Sequence, residues 1–210
     1  MEKIESVIAQ KLLQINAIKL NPTNPYTWAS GWKSPIYCDN RKILSFPEVR
    51  DLVKNEFVNL LNAVYGKPDI IAGVATGAIA HGALVADLLN LPFIYIRSAS
   101  KSHGLENLIE GVLEAGQKVI VIEDLISTGG SSIKAVQAIR EKNAEVVGML
   151  AIFTYGFSQA ELNFEKANCK LHTLSNYNAL INKALQSGYI AQDQVNLLTD
   201  WRKNPETWMQ

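Results

Sequence analysis

The stretch KVIVIEDLISTGGSS, residues 118–132, is the part of the chain that decides its fold. Its first residues are apolar and predict a buried strand that ends at two adjacent acids, Glu123 and Asp124. Serine, threonine and glycine follow, and a helical pattern begins near residue 130. In α/β proteins the loop between a strand and the next helix lies at the sheet edge where ligands bind. The stretch therefore predicts a ligand site around residues 123–132.

Strands and helices alternate on both sides of this stretch. Near-continuous apolar strands alternating with amphipathic helices predict a parallel sheet covered by helices on both faces. The predicted strands are 69–75, 92–97, 118–124, 145–153 and 170–174. The predicted helices are 3–18, 47–64, 78–90, 130–142 and 158–167, with two more near the C-terminus. We therefore expect an α/β fold with a mostly parallel, five-stranded sheet flanked by helices.

Composition argues against several classes of protein. The 210 residues carry a formal net charge of zero, whereas a dedicated nucleic-acid-binding domain normally has a basic excess. No apolar run approaches the ~18 residues of a membrane-spanning helix, and the N-terminus lacks the apolar core of a signal peptide. Cys38 and Cys169 are far apart, as expected for free thiols in a reducing compartment. We expect one compact, cytoplasmic domain that binds neither nucleic acid nor membrane.

The loop after the predicted strand combines two kinds of polar group. Small residues and a helix N-terminus direct backbone N–H groups at an anion such as phosphate, and hydroxyl groups add further donors. Glu123 and Asp124 offer acceptors beside them, so the loop suits a phosphorylated sugar. A helix start capped by a side chain, with Asp124 in solvent, accounts for the same residues. The nucleotide-binding patterns GxxxxGK[ST] and GxGxxG are absent.

Four segments of the chain resemble a known family. VIVIEDLISTGGSS (119–132) resembles the phosphoribosyl pyrophosphate (PRPP) signature of type I phosphoribosyltransferases. IRSASKSHGLENLIEG (96–111) and ASGWKSPIYCDNR (29–41) resemble the catalytic loop and the N-terminal hood segment of orotate phosphoribosyltransferases, and AIFTYGF (151–157) adds to the likeness. The resemblance covers nearly the whole chain.

The resemblance implies a fold and an activity. The fold is the type I phosphoribosyltransferase fold with a small N-terminal hood: residues 1–65 form N-terminal helices and the hood segment, and 66–210 form the core with the C-terminal helices. The implied reaction transfers a phosphoribosyl group from PRPP to orotate and gives orotidine 5'-phosphate and diphosphate, a step of pyrimidine biosynthesis. Mg²⁺, held mainly by substrate, is the implied cofactor, and a homodimer with shared active sites is the implied assembly.

The resemblance also implies site residues. Lys101, His103 and Asp124 are the catalytic set, and Ser127 and Lys33 are the orotate-binding candidates. The pyrophosphate loop comprises Ala75, Thr76 and Gly77. The PRPP-binding set comprises Arg97, Lys101, His103, Glu123, Asp124, Leu125, Ile126, Ser127, Thr128, Gly129, Gly130 and Ser131. No residue is predicted to bind the metal directly.

Some positions depart from the family pattern. Ala29 and Tyr155 stand where enteric members have a lysine and an arginine that contact orotate, and Ser98 and Ala99 replace a loop lysine. Lys33 is a candidate to compensate. A purine phosphoribosyltransferase and a non-catalytic, nucleotide-sensing regulator remain as alternatives. The hood segment argues against the first, and the zero net charge argues against the second.

Overall fold

The central feature of the protein is a six-stranded sheet, seen in a computed structural model that describes residues 3–28, 30–98 and 108–209. The strands are β1 (Ile18–Leu20), β2 (Tyr26–Thr27), β3 (Lys33–Ser34), β4 (Ile36–Cys38), β5 (Ile70–Val74), β6 (Phe93–Ile96), β7 (Ile109–Glu110), β8 (Lys118–Ile126), β9 (Glu145–Thr154) and β10 (Leu171–Asn176). The helices are α1 (Ile4–Gln14), α2 (Pro47–Val64), α3 (Ile79–Leu89), α4 (Gly130–Glu141), α5 (Ser158–Lys166), α6 (Tyr177–Gln186) and α7 (Gln194–Lys203). None of the helices within these ranges is long and apolar enough to cross a membrane.

The sheet has the order β10-β9-β8-β5-β6-β7, and its first five members run parallel. The predicted α/β fold with five parallel strands is therefore confirmed. The prediction missed β7, which pairs antiparallel with β6 at the edge of the sheet. With only two residues, β7 is too short to produce a periodic pattern in the sequence.

Alternation along β8 explains how helices cover both faces of the sheet. Ile120 and Ile122 pack in a core that includes residues of α1, α2, α3, α6 and α7. Val119 and Val121 pack in a second core that includes residues of α4 and α5. Because successive side chains of a strand point to opposite faces, one apolar run supplies both cores.

Two predicted boundaries were wrong in ways that affect the site. The helix predicted over residues 3–18 ends at Gln14, because Asn16 adopts a left-handed conformation (φ 54°) and the chain turns back into β1. β1 then pairs antiparallel with β4 of the hood segment. β8 continues two residues beyond Asp124, because Leu125 and Ile126 pair with β9. Both acids lie within the strand, as predicted, but the strand extends two residues beyond them.

Candidate active site

Glu123 and Asp124 are adjacent in sequence but occupy different environments. Glu123 is buried, with 4% of its surface exposed, and its carboxylate accepts hydrogen bonds from the Asp124 backbone N–H (3.0 Å) and the Ser132 hydroxyl (2.9 Å). Burial, and then the charge of Asp124, raise the pKa of Glu123 well above its usual range. Asp124 is only half-buried. Glu123 is thus held inside the protein, and Asp124 is the acid that a ligand can reach.

The loop after β8 leads into α4 without a side-chain cap. Ser127 and Thr128 are half-buried, Gly129 takes a left-handed conformation (φ 80°) as the residue before the helix, and Gly130 and Ser131 are exposed. No side chain among the described residues caps α4. This argues against a side-chain-capped helix start, so the first backbone N–H groups of α4 are available to an anion.

Leu125 and Ile126, which were predicted to bind PRPP, belong to the end of β8. Leu125 is half-buried, and Ile126 is fully buried in the core that packs on α4. Only their backbone lies in the segment that leads to the loop. Binding of PRPP by these residues stays a prediction.

The turn between β5 and α3 contacts the acid that follows in β8. A Cβ atom on Gly77 would lie 2.2 Å from Oδ2 of Asp124, so position 77 accepts glycine and no larger residue without moving that carboxylate. Ala75 and Thr76 complete this turn, and the peptide bond between them is cis. The structure therefore brings the predicted pyrophosphate loop and the predicted ribose-binding acid together.

Arg97 lies where β6 ends, beside a cavity of about 260 Å³. Its Nη1 atom is 3.6 Å from Oε1 of Glu110 in β7. The cavity is lined by Val74, Ala75, Arg97, Ser98, Leu108, Gly130, Ser131, Lys134 and Ala135. It thus joins residues of three predicted segments and adds Lys134, a cation that the sequence analysis missed. One signal was available, since Lys134 is one turn beyond Gly130 in the predicted helix. The two other predicted cations, Lys101 and His103, lie outside the described residues.

The hood segment is connected to the active-site strand through Asn40. Its buried side-chain amide donates a hydrogen bond to the Asp124 backbone carbonyl at 2.6 Å, while its Oδ1 has no partner among the residues that the structure describes. His81 of α3 is also buried, and burial outweighs the nearby Asp124 and lowers its pKa. Lys33, an orotate-binding candidate, donates from Nζ to the Thr27 hydroxyl at 2.9 Å across the β2–β3 hairpin.

Aromatic residues from distant parts of the chain form a cluster beside the hood. The ring of Tyr155 stacks on that of Trp28 with centroids 5.3 Å apart and meets the Trp201 ring edge-on at 5.7 Å. Tyr155 is buried, so its side chain serves packing, at the position where the resemblance implied an arginine in enteric members. Arg202, next to Trp201, lines a cavity of about 230 Å³ together with Thr128. Sequence reasoning missed Arg202 because no motif marks that helix.

Comparison with known proteins agrees with this geometry. A family model described as "Phosphoribosyl transferase domain" matches residues 40–185, so the fold and the site define a phosphoribosyltransferase. Orotate phosphoribosyltransferases from Porphyromonas gingivalis and Bacteroides thetaiotaomicron are each 60% identical over 208 residues, which cover 99% of this chain and 99% and 98% of theirs. The chain belongs to the orotate phosphoribosyltransferase family, as the resemblance implied.

A solved structure gives the same result at the level of the fold. The crystal structure of orotate phosphoribosyltransferase from Aeropyrum pernix has a TM-score of 0.75 and is 23% identical. The match covers 88% of this chain and 99% of that one. The predicted type I phosphoribosyltransferase fold is therefore confirmed. The roles of the individual site residues remain predictions.

Proposed function

We propose that this site transfers the phosphoribosyl group of PRPP to orotate and releases diphosphate. The observation that carries the proposal is the packing of the Asp124 carboxylate against Gly77, beside an uncapped helix start. One small region thereby offers an acceptor for sugar hydroxyls and N–H donors for phosphate. The names of the relatives at 60% identity supply the acceptor, orotate, and argue against the purine alternative.

The chemistry of the reaction assigns a role to each charged group. Breaking the bond at the anomeric carbon builds positive charge on the ribose ring, as in glycoside hydrolysis, and leaves negative charge on the departing diphosphate. Asp124 binds the ribose hydroxyls, and its negative charge stabilises the positive charge that develops on the ring. Arg97 and Lys134, which line one cavity, bind the departing anion together with Lys101 and His103. His103 carries an imidazole, a side chain suited to proton transfer, and passes a proton to the leaving group.

Mg²⁺ is the proposed cofactor of this reaction. Its preferred ligands are oxygen atoms, and it commonly binds through substrate phosphates with one or two carboxylates. Substrate oxygens would hold most of the ion, and the half-buried Asp124 carboxylate would be the protein group able to contribute, whereas Glu123 is already engaged by Ser132 and a backbone N–H. When bound, the ion neutralises phosphate charge. Asp124 positions the ribose, and the cations along the cavity beside Arg97 hold the diphosphate.

Loss of orotate absorbance tests the proposed function directly. Purified protein, PRPP, Mg²⁺ and orotate should give orotidine 5'-phosphate, and a chelator in excess of Mg²⁺ should stop the reaction. Adenine, guanine and uracil in place of orotate are the matched controls, and we expect none to react at a comparable rate. Turnover of adenine but not orotate would favour the purine alternative. Salt-sensitive binding of RNA or DNA without any turnover would favour the regulator.

A homodimer with shared active sites is the proposed assembly, and the cytoplasm is the proposed location. If Lys101 serves the site of the partner chain, Lys101→Ala and Asp124→Asn should each lower activity by about 10²-fold or more. When the two variants exchange subunits, one site of each hybrid dimer contains both intact residues. Activity should then return to about half the wild-type value per hybrid. Hybrids that form by mass spectrometry but stay inactive would show that each loop serves its own chain.

A further inference from the structure

We propose that Arg202 recognises the carboxylate of the acceptor in the cavity between the loop after β8 and the C-terminal helix α7. The proposal rests on the proposed function and adds the residue that selects a carboxylated pyrimidine over an uncharged one. The ligand class is a planar heterocycle bearing one carboxylate.

The position of Arg202 is fixed by its neighbour in α7. Trp201 is fully buried, and its indole N–H donates a hydrogen bond to the Lys33 backbone carbonyl at 3.2 Å. Arg202 then lies against the turn that follows β9. Three of its guanidinium atoms are 3.6–3.8 Å from the place that a Cβ atom would occupy on Gly156. A buried anchor of this kind holds the start of a long side chain in place and lowers the entropy lost when it binds a ligand.

The cavity beside Arg202 lies where three separate segments of the chain meet. Thr128 comes from the loop after β8, Trp32 from the hood segment, and Phe157 from the turn after β9. The volume, about 230 Å³, suits a single ring, since the pockets that bind drug-sized ligands measure roughly 300–1,000 Å³. Trp32 and Phe157 supply aromatic surface for such a ring. The remaining lining residues are Ser158, Gln159, Lys203, Asn204, Pro205, Glu206 and Thr207.

The charge of Arg202 is available to an anion. Its Nη1 atom donates a hydrogen bond to the side-chain oxygen of Asn178, a neutral group, and within the described ranges it forms no ion pair. A guanidinium has five N–H donors in a planar fork that matches a carboxylate in a bidentate arrangement. Glu206 is the one acidic residue of the cavity lining, and it is exposed. Most of the donors of Arg202 therefore remain for a ligand.

Arg202 fits this role better than Lys33 does. The Lys33 ammonium group is engaged by the Thr27 hydroxyl, and Lys33 does not belong to the lining of the cavity. A lysine also presents a point charge without the planar fork of an arginine. The resemblance-based suggestion of Lys33 as an orotate contact stays a prediction, and the two residues can be compared directly.

The test compares Arg202→Gln with Arg50→Gln. Arg50 is a matched control on α2, where its guanidinium donates to one neutral group, the Leu44 carbonyl at 3.5 Å. Orotate and its methyl ester, which lacks the carboxylate charge, are titrated calorimetrically into wild type and variants in the presence of diphosphate. We expect wild type to prefer orotate by about 10²-fold, because donors built for a charged group are left unpaired by the ester. Arg202→Gln should reduce this preference to about one and leave the KM for PRPP unchanged, whereas Arg50→Gln should change neither.

The preference for orotate over the ester separates recognition from structural damage. Arg202→Lys should regain part of it, because the charge returns without the fork. An Arg202→Gln protein that keeps the wild-type preference overturns the inference. So does a loss of affinity for both ligands by the same factor, which would indicate a structural role. Failure of wild type to turn over orotate would overturn the proposed function, while the binding preference would still decide the role of Arg202.

Discussion

The two halves of the active site are built in different ways. The phosphoribosyl side consists of the β5–α3 turn and the end of β8 with its loop, which lie next to each other because their strands are neighbours in the sheet. The acceptor side combines the hood segment, the turn after β9 and α7, which are joined by packing of aromatic rings. The first half follows from sheet topology, and the second depends on tertiary contacts between segments that are far apart along the chain.

This difference corresponds to two kinds of binding. All phosphoribosyltransferases share the donor, whereas the acceptor differs from one branch to another. Any phosphoribosyltransferase must bind the same donor, and on that side the loop backbone and Asp124 are proposed to do so together with the cations around Arg97. Acceptors differ in shape and charge, and the side proposed to bind the acceptor contains an aromatic cluster centred on Tyr155 and Trp201. We expect substitutions on the phosphoribosyl side to lower catalysis. Substitutions on the acceptor side should instead lower acceptor binding and stability.

The largest effect on stability should come from Trp201→Ala. Trp201 is fully buried, and loss of a large aromatic side chain from a core costs about 3–5 kcal/mol of the free energy of unfolding. Urea denaturation measures this change, and Trp208→Ala, at a half-buried position beside the same core, serves as the milder control. A loss below about 1 kcal/mol for Trp201→Ala would contradict the idea that this ring holds the acceptor side together.

The largest effect on catalysis alone should come from Gly77→Ala. The added methyl group would displace the Asp124 carboxylate, and a shift of about 1 Å in a reacting geometry can lower the rate by about 10²-fold. Steady-state kinetics with both substrates measures the change. Gly188→Ala is the control, because it should lower stability without affecting the site. Its φ of 70° makes alanine cost about 1 kcal/mol of the free energy of unfolding, and we expect its kinetics to be normal. Normal activity of Gly77→Ala would show that the reaction does not depend on the position of the Asp124 carboxylate.

The smallest effect should be the pH-dependent stability of Glu123→Gln. The pKa of Glu123 is higher in the folded than in the unfolded protein, so the native state binds this proton more tightly. Its contribution to stability is complete below the unfolded value of about 4.3 and is lost as the pH rises through the raised folded value. Glutamine keeps an acceptor for the Asp124 N–H and adds no charge. The variant should therefore gain stability relative to wild type as the pH rises above about 5, as measured by urea denaturation. A difference that does not change with pH would show that Glu123 does not titrate in this way.

Local signals made the phosphoribosyl side predictable from the sequence. The strand, the two acids and the glycine-rich loop all fall within residues 118–132, so periodicity and residue type located them, whereas the β5–α3 turn was implied only by the resemblance. The acceptor side was not predictable in the same way, because its contacts join residues far apart in the chain. The hydrogen bond from Asn40 to Asp124 spans 84 positions, and the one from Trp201 to Lys33 spans 168. Nothing in the neighbourhood of Arg202 in sequence indicates that it approaches Gly156.

Stacking of Trp32 of the hood segment on the adjacent Trp28 has a practical consequence for spectroscopy. The rings of Trp28 and Trp32 lie 6.4 Å apart with planes inclined by 20°, and Trp201 meets the Trp28 ring edge-on at 5.6 Å. Electronic transitions of indoles at such separations couple, and the resulting near-ultraviolet circular dichroism depends on their mutual orientation. Trp32 lines the cavity of Arg202, so a ligand that moves its ring changes this signal. The chain therefore contains a built-in optical reporter for the position of its hood, which requires no added label.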